Sequence, residues 1–220
     1  MNTRSSASVT VIARRGSKAG EVETCCFTYT RLTMEEGRVV DSYMSLKFPT
    51  ETGEAGETPW RTALSCVRLE LMEKDSSVPI DLRSMGPTGG GGEPEPFLAS
   101  TVPGDPGKAD WHDKVVYLVQ IKPENIQHFR KEEKLDAPDE ILGVPEFVEL
   151  SELWRRMYER GQPFHRAVLF QVMKYFVEKY PVGISGAYKR ILNDPRCHDV
   201  MRSRGVPVRF NLGGWGMVAQ

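Results

Sequence analysis

Residues 48–75 read FPTETGEAGETPWRTALSCVRLELMEKD and predict an extended segment, a loop and a helix in succession. Thr58 is a suitable N-cap, and Pro59 suits the first helical turn, where its missing N–H is not needed. The apolar side chains that follow recur at helical spacing, namely Trp60, Ala63, Leu64, Val67 and Leu71. This spacing predicts a helix over Pro59–Lys74 whose apolar stripe faces a core. Three further side chains line the adjacent face at spacings of three and four residues: Cys66, Glu70 and Glu73.

The same stretch resembles the signature box of the Nudix hydrolases. Phe48-Pro49 stands where the family has Leu-Pro, and Gly56-Glu57-Thr58 where it has Gly-Glu-Ser/Thr. Ala63-Leu64 falls just ahead of the family's Arg-Glu-x-x-Glu-Glu core. The resemblance covers roughly residues 8–180 and implies an α/β fold, a Nudix-like α/β/α sandwich with a mixed β-sheet. It also implies hydrolysis of a nucleoside diphosphate linked to another group, with Mg²⁺ held by carboxylates of the helix.

Most of the family's catalytic letters are replaced in this chain. Carried over position by position, the Gly-Gly of the loop becomes Thr50-Glu51, the Arg-Glu pair becomes Ser65 and Cys66, the metal-binding Glu-Glu pair becomes Leu69 and Glu70, and the closing Gly becomes Met72. Leu69 has no ligand atom, and a thiol is a poor ligand for Mg²⁺. The sequence therefore predicts a degenerate box in which Mg²⁺ binding is weak or absent.

Two functions of different classes follow from this box. The first is a Nudix-fold protein that binds a nucleotide or a nucleoside-diphosphate-linked ligand with weak or no hydrolysis. The alternative is an active, divergent, Mg²⁺-dependent Nudix pyrophosphohydrolase with Glu57, Glu70 and Glu73 as catalytic residues, in which Glu70 and Glu73 share one ion. A solvated helix end is the competing interpretation for Glu73, and a solvated surface position is the competing interpretation for Glu70. A further alternative is a protein-interaction or structural module.

Candidate ligand-binding residues lie outside the catalytic letters. They are Glu51 in the loop, Arg68 on the helix, His112 beside a predicted strand, and Arg202 and Arg204 near the C-terminus. Residues 181–220 carry a local excess of basic side chains, which predicts contact with phosphates or with a protein partner. We therefore expect a Nudix-like domain over residues 1–180 and a C-terminal extension over residues 181–220 that packs on or near it.

Bulk composition limits the remaining possibilities. The formal net charge of −1 gives no overall attraction to polyanions. No stretch approaches the roughly 20 apolar residues that a membrane span needs. The four cysteines show no metal-ligand spacing, so we expect a reducing compartment and a cytoplasmic protein. The sequence indicates no particular oligomeric state.

Alternation and helical periodicity predict the other elements. Predicted strands are Ser8–Arg14, Glu23–Arg31, Val39–Phe48, Ser77–Leu82, Phe97–Val102 and Lys114–Ile121, in which Val116, Leu118 and Ile121 are expected to be buried. Predicted helical segments are Glu124–Glu133, the segment from Pro145 to Gly161, Phe164–Tyr180 and Ala187–Leu192. Gly86–Pro96 is expected to be flexible because of its glycine and proline content.

Overall fold

The computed structural model describes residues 3–13, 20–73, 82–103 and 111–197. Within these ranges ten strands form a mixed sheet: β1 (Thr3–Ala13), β2 (Glu23–Glu35), β3 (Arg38–Lys47), β4 (Thr50–Thr52), β5 (Leu82–Ser84), β6 (Leu98–Pro103), β7 (Trp111–Ile121), β8 (Lys134–Ala137), β9 (Glu140–Leu142) and β10 (Glu146–Glu149). The α-helices are α1 (Pro59–Leu71), α2 (Leu150–Arg160), α3 (Pro163–Lys179) and α4 (Gly186–Leu192), and a 3-10 helix spans Pro123–His128.

The centre of the sheet is the parallel pair of β1 and β7, in register from Thr3 opposite Trp111 to Ile12 opposite Gln120. The other strand pairs are antiparallel. The sheet is therefore mixed, as predicted.

Alternate side chains of the central strands pack against different helices. On β7, Tyr117 and Val119 join a core with α1, whereas Val116 and Leu118 join a core with α2 and α3. A strand can contribute to two cores in this way because successive side chains point to opposite faces. The predicted α/β/α sandwich is confirmed, as is the burial in strand of Val116, Leu118 and Ile121.

Several boundaries differ from the predictions. The box helix ends at Leu71 rather than at Lys74, because Met72 is already extended and its backbone pairs with Phe129. Glu146–Glu149 is strand rather than helix, because it pairs with β2 before α2 begins. Of the predicted helical segment Glu124–Glu133, only residues 124–128 are helical, as part of the 3-10 helix Pro123–His128.

The strands β8 and β9 were not predicted, since runs of three or four residues give little alternation to detect. Residues 77–81 of the predicted edge strand lie outside the described residues. Gly86–Pro96, expected to be flexible, forms a hydrogen-bonded turn in which Gly89 N–H donates to Glu93 and Glu95 N–H donates to Pro87.

The described part of the C-terminal extension packs on the preceding helices. Tyr188 of α4 is fully buried in the core with α2 and α3, and its hydroxyl accepts a hydrogen bond from Val22 N–H at 2.9 Å. Residues 198–220 lie outside the described part, so the division at residue 180 stays a prediction. No helix in the described ranges has the length and apolar character needed to cross a membrane.

Candidate functional site

The N-terminus of α1 follows the predicted local chemistry. Thr58 has extended backbone angles, and its hydroxyl accepts a hydrogen bond from Arg61 N–H at 3.4 Å. Glu57 lies just before this cap, where its carboxylate accepts hydrogen bonds from the Thr62 hydroxyl at 2.9 Å and from Glu54 N–H at 3.3 Å. The box loop is thus fixed to the first turn of the helix by the side chain that the resemblance marks as catalytic.

Glu70 lies on the buried side of α1, and its carboxylate has protein partners. Its exposed fraction is 2%. One oxygen lies 3.2 Å from the Lys47 ammonium, and the other accepts hydrogen bonds from Thr50 N–H at 2.8 Å and from the Cys66 thiol at 3.6 Å. The competing interpretation of Glu70 as a solvated surface residue is therefore wrong. The helix turns this residue inward because Cys66, one turn earlier, is itself buried.

Lys47 is held beside Glu70 by the end of β3. It lies directly opposite Phe27 on β2, and its ammonium is 5.4 Å from the Phe27 ring centroid and 4.8 Å from that of Tyr29. Aromatic faces attract cations, so both rings and the Glu70 carboxylate stabilise the ammonium in a place that water scarcely reaches. The negative charge of Glu70 is thereby balanced by a residue of the chain itself.

The titration of this group reflects competition between burial and these partners. Burial raises the pKa of Glu70 to about 7, although the nearby Lys47 ammonium and the hydrogen bond from Thr50 N–H act to lower it. Burial also raises the pKa of Cys66 well above its usual range, and the adjacent Glu70 carboxylate adds to that effect. The Cys66 side chain is thus a neutral thiol that donates to Glu70.

The residues of the helix do not fit a Mg²⁺ cluster. Leu69, at a family ligand position, is 51% exposed and has no oxygen, while the Glu70 carboxylate is already paired. Glu73 lies beyond the end of α1, with its backbone N–H donating to His128, so the predicted helical spacing of Glu70 and Glu73 is wrong. Across the described ranges, no group of three or more His, Cys, Asp or Glu side chains could hold a metal ion. Mg²⁺ needs several fixed oxygen ligands, and this arrangement does not supply them.

The other predicted site residues are not all brought together. Glu51 is half-buried on β4, close enough to raise the pKa values of Cys66 and Glu70, and Arg68 is exposed on α1. His112 alternates with Asp113 on β7 and shares the face of Val116, so it points away from the face that carries α1. Arg202 and Arg204 lie outside the described residues. The roles proposed for all of these residues stay predictions.

A cavity of about 350 Å³ lies beside the N-terminus of α1. Its lining comes from β1, β6, β7 and the first turns of the helix: Ser5, Ser6, Pro59, Thr62, Ala99, Ser100, Thr101, Asp113, Lys114 and Val115. Two of the lining residues are hydrogen-bonded to each other, since the Thr101 hydroxyl donates to the Asp113 carboxylate at 2.6 Å. The sequence gives no signal for this cavity, because β1, β6 and β7 are brought together only by the fold.

A group of buried polar side chains, two of which also line the cavity, lies on the face of the sheet that carries α3 and was likewise not predicted. Ser6, Ser8 and Ser100 are buried there, and Ser100 Oγ has no hydrogen-bond partner within the described residues. His165 of α3 is buried as well, with its Nδ1 accepting from Phe48 N–H at 3.4 Å. Burial, assisted by nearby Lys47 and Lys114, lowers the pKa of His165 well below its usual range, so the imidazole is neutral.

Comparison with solved structures returns proteins described as Nudix hydrolases. The arrangement of helices and strands in this chain is that of the Nudix fold. A mutT/nudix family protein from Listeria innocua has a TM-score of 0.48 at 14% identity, with 82% of this chain and 97% of that chain covered. RenU, a Nudix hydrolase from M. smegmatis, has a TM-score of 0.46 at 9% identity, with coverage of 82% and 88%. A C. elegans Ap4A hydrolase has a TM-score of 0.46 at 10% identity, with coverage of 80% and 98%.

These likenesses concern the arrangement of helices and strands in a Nudix-like fold. Identities of 9–14% and TM-scores below 0.5 say nothing about the chemistry of this chain. No family model and no curated protein matches its sequence. The chemistry must therefore be argued from the residues around Lys47 and Glu70.

Proposed function

We propose that this Nudix-like chain binds a nucleotide or a nucleoside-diphosphate-linked ligand without metal-dependent hydrolysis. The observation that carries the proposal is the Lys47–Glu70 ion pair, with a nitrogen–oxygen distance of 3.2 Å and both side chains largely buried. Function in a shared fold depends on its site rather than on its architecture. The resemblance predicts a metal ion beside Glu70, and the Lys47 ammonium supplies the positive charge there instead.

The paired carboxylate is unsuited to the family's chemistry for two reasons. Glu70 would have to release Lys47 before it could bind a divalent ion, and neither Cys66 nor Leu69 offers a second carboxylate. Removing one partner of a buried ion pair costs on the order of 3–5 kcal/mol, which opposes that release. A bound diphosphate therefore meets no metal-activated water at this helix.

The ligand is proposed to occupy the cavity beside the N-terminus of α1. A volume of about 350 Å³ falls within the range of small-molecule sites. Asp113 and the hydroxyls of Ser5, Thr62 and Thr101 suit the hydroxyls of a sugar. The Thr62 and Thr101 hydroxyls already donate to Glu57 and Asp113 and can accept from the ligand, and the Ser5 hydroxyl can donate and accept. The positive end of the α1 dipole favours a phosphate nearby. The nucleotide class itself comes from the resemblance of residues 48–75, and cytoplasmic localisation stays a prediction.

The proposal is tested by measuring binding and turnover separately. Thermal shifts are recorded with ADP-ribose, dinucleoside polyphosphates and nucleoside triphosphates, with Mg²⁺ and with EDTA, and the same mixtures are assayed for phosphate or pyrophosphate products. We expect a rise in melting temperature that EDTA does not remove, and turnover far below the roughly 1–10³ s⁻¹ of ordinary enzymes.

Variants locate the binding site and supply the controls. Asp113→Asn should weaken the ligand-induced shift, whereas Asp41→Asn, an exposed carboxylate on β3, should leave it unchanged. Brisk Mg²⁺-dependent hydrolysis by the wild-type protein would disprove the non-hydrolytic proposal. If no nucleotide in the panel moves the melting temperature in either condition, the binding proposal fails.

A further inference from the structure

A four-stranded ribbon extends from the sheet beyond the helices. It is made of β3, β2, β9 and β8 in that order, with β2 longer than its neighbour β9. Its tip is the turn at Glu36-Gly37, whose φ angles of 47° and 77° are those of a tight hairpin turn of type I′. Within the described ranges β3 forms a ladder with β2 alone, apart from one isolated bridge between Leu46, at its base, and Gly161.

The two faces of this ribbon differ in charge. The strand register places Arg31, Asp41, Glu140 and Lys47 on one face, which we call the charged face. The opposite face, which we call the apolar face, carries one row across all four strands, from Met44 through Thr30 and Ile141 to Leu135. Towards the tip, the apolar face adds the pairs Leu32–Ser42 and Met34–Val39. These eight side chains include no ionisable group.

No described element covers the apolar face beyond the base of the ribbon. Leu46, at the base, is buried in the core with α2 and α3. Two residues further out, Met44 is 54% exposed, and Leu135 at the far strand is 66% exposed. Monomers rarely leave a contiguous apolar surface of this kind open, and such a surface marks an interaction site.

Charges at the two ends of the ribbon are complementary to each other. Glu35 and Glu36 stand at the tip with Arg38, giving the tip a net negative charge. At the base, Leu46 pairs with Gly161, which brings the exposed C-terminal residue of α2, Arg160, beside β3. Arg160 forms no ion pair within the described residues. A surface that is uncharged in the middle and oppositely charged at its ends is complementary to itself after a twofold rotation.

We propose that the apolar face binds a second copy of this chain, with the two ribbons antiparallel about a twofold axis. The uncharged rows of the two copies pack together, and the acidic tip of each ribbon lies against Arg160 of the other copy. No charge is buried without a partner in this arrangement, which is the condition that a stable apolar interface must meet. The inference is independent of the ligand and of the chemistry at Glu70.

Adjacent residues of β3 provide a matched pair of variants. Met44 and Tyr43 have almost equal exposed fractions, 54% and 56%, but lie on the apolar and the charged face respectively. Sedimentation equilibrium of the full chain over a hundredfold range of micromolar concentrations should show a dimer for the wild type. Met44→Lys should raise the dimer dissociation constant by about 100-fold or more, because it places two ammonium groups in the interface. Tyr43→Lys should leave the constant within about twofold, since its side chain points to the other face.

Exchanging the charges of Glu36 and Arg160 tests the antiparallel arrangement. Restored dimerisation in the double variant would show that a single variant's loss of dimer is not caused by misfolding. Glu36→Lys and Arg160→Glu should each weaken the dimer, and the double variant should restore it, while melting curves establish that every variant is folded. A wild type that remains monomeric at all concentrations would overturn the proposal and leave the face to a different protein. Equal loss of dimer in Tyr43→Lys and Met44→Lys, or a double variant no better than either single one, would also overturn it.

Discussion

Substituting Glu70 by Gln should change how the stability of the protein depends on pH. Glu70 has its pKa raised by burial from the ordinary value of 4.5 to about 7. A carboxyl group with a raised pKa in the folded state stabilises the protein fully below the pKa of the unfolded state, and this contribution is lost as the pH rises through the folded pKa. At 1.36 kcal/mol per pKa unit, the wild type should lose about 3 kcal/mol from this group between about pH 4.5 and pH 8.

The glutamine side chain has nearly the same shape and does not titrate. The free energy of unfolding of Glu70→Gln relative to wild type should therefore rise by about 3 kcal/mol over the same pH range. His165 contributes with the opposite sign, since its lowered pKa stabilises the folded state above the unfolded value near 6.5 and less as the pH falls. That contribution is common to both proteins and cancels in the difference.

Urea unfolding at 25 °C, at several pH values across this window, measures the difference directly. Glu73→Gln is the matched control, because Glu73 is exposed on the same segment just past the end of α1. A difference that stays flat with pH in Glu70→Gln, or that is as large in Glu73→Gln, would refute the argument that burial raises the pKa of Glu70 against the opposing effect of Lys47.

Three further predictions concern metal, catalysis and packing. Calorimetry should detect no micromolar binding of Mg²⁺ or Mn²⁺, because the helix lacks a set of fixed oxygen ligands, and saturable heat at those concentrations would contradict this. Restoring the family's residues as Ser65→Arg, Cys66→Glu and Leu69→Glu should raise pyrophosphate hydrolysis only when Lys47→Met is added as well, because the Lys47 ammonium occupies Glu70. A rise in hydrolysis in the variant that keeps Lys47 would show that the ammonium does not block metal binding. Tyr188→Phe should lower the free energy of unfolding in urea by about 1–3 kcal/mol, because it leaves a buried backbone N–H without an acceptor, and an unchanged midpoint would refute that role.

Local pattern in the sequence was sufficient to predict the elements that bury a face along their whole length. The helix α1 has apolar side chains at the helical period, which follows from backbone geometry alone. The strand at residues 114–121 is a short continuous apolar run, as expected of a strand that is buried on both faces. β8 and β9 were not predicted because three or four residues give no measurable period. The boundary at Leu71 was also missed, since the backbone pairing of Met72 with Phe129 joins residues that are far apart in the chain.

The resemblance of residues 48–75 located the candidate site, and the substitutions at Cys66 and Leu69 predicted that its chemistry had changed. The sequence alone did not indicate which cation, if any, would balance Glu70. Lys47 lies 23 residues away and reaches Glu70 only because the antiparallel pairing of β3 with β2 and the packing of α1 on the sheet bring them together. The energy of a buried carboxylate depends on the groups within a few ångströms of it, and those neighbours are fixed by tertiary structure rather than by local sequence.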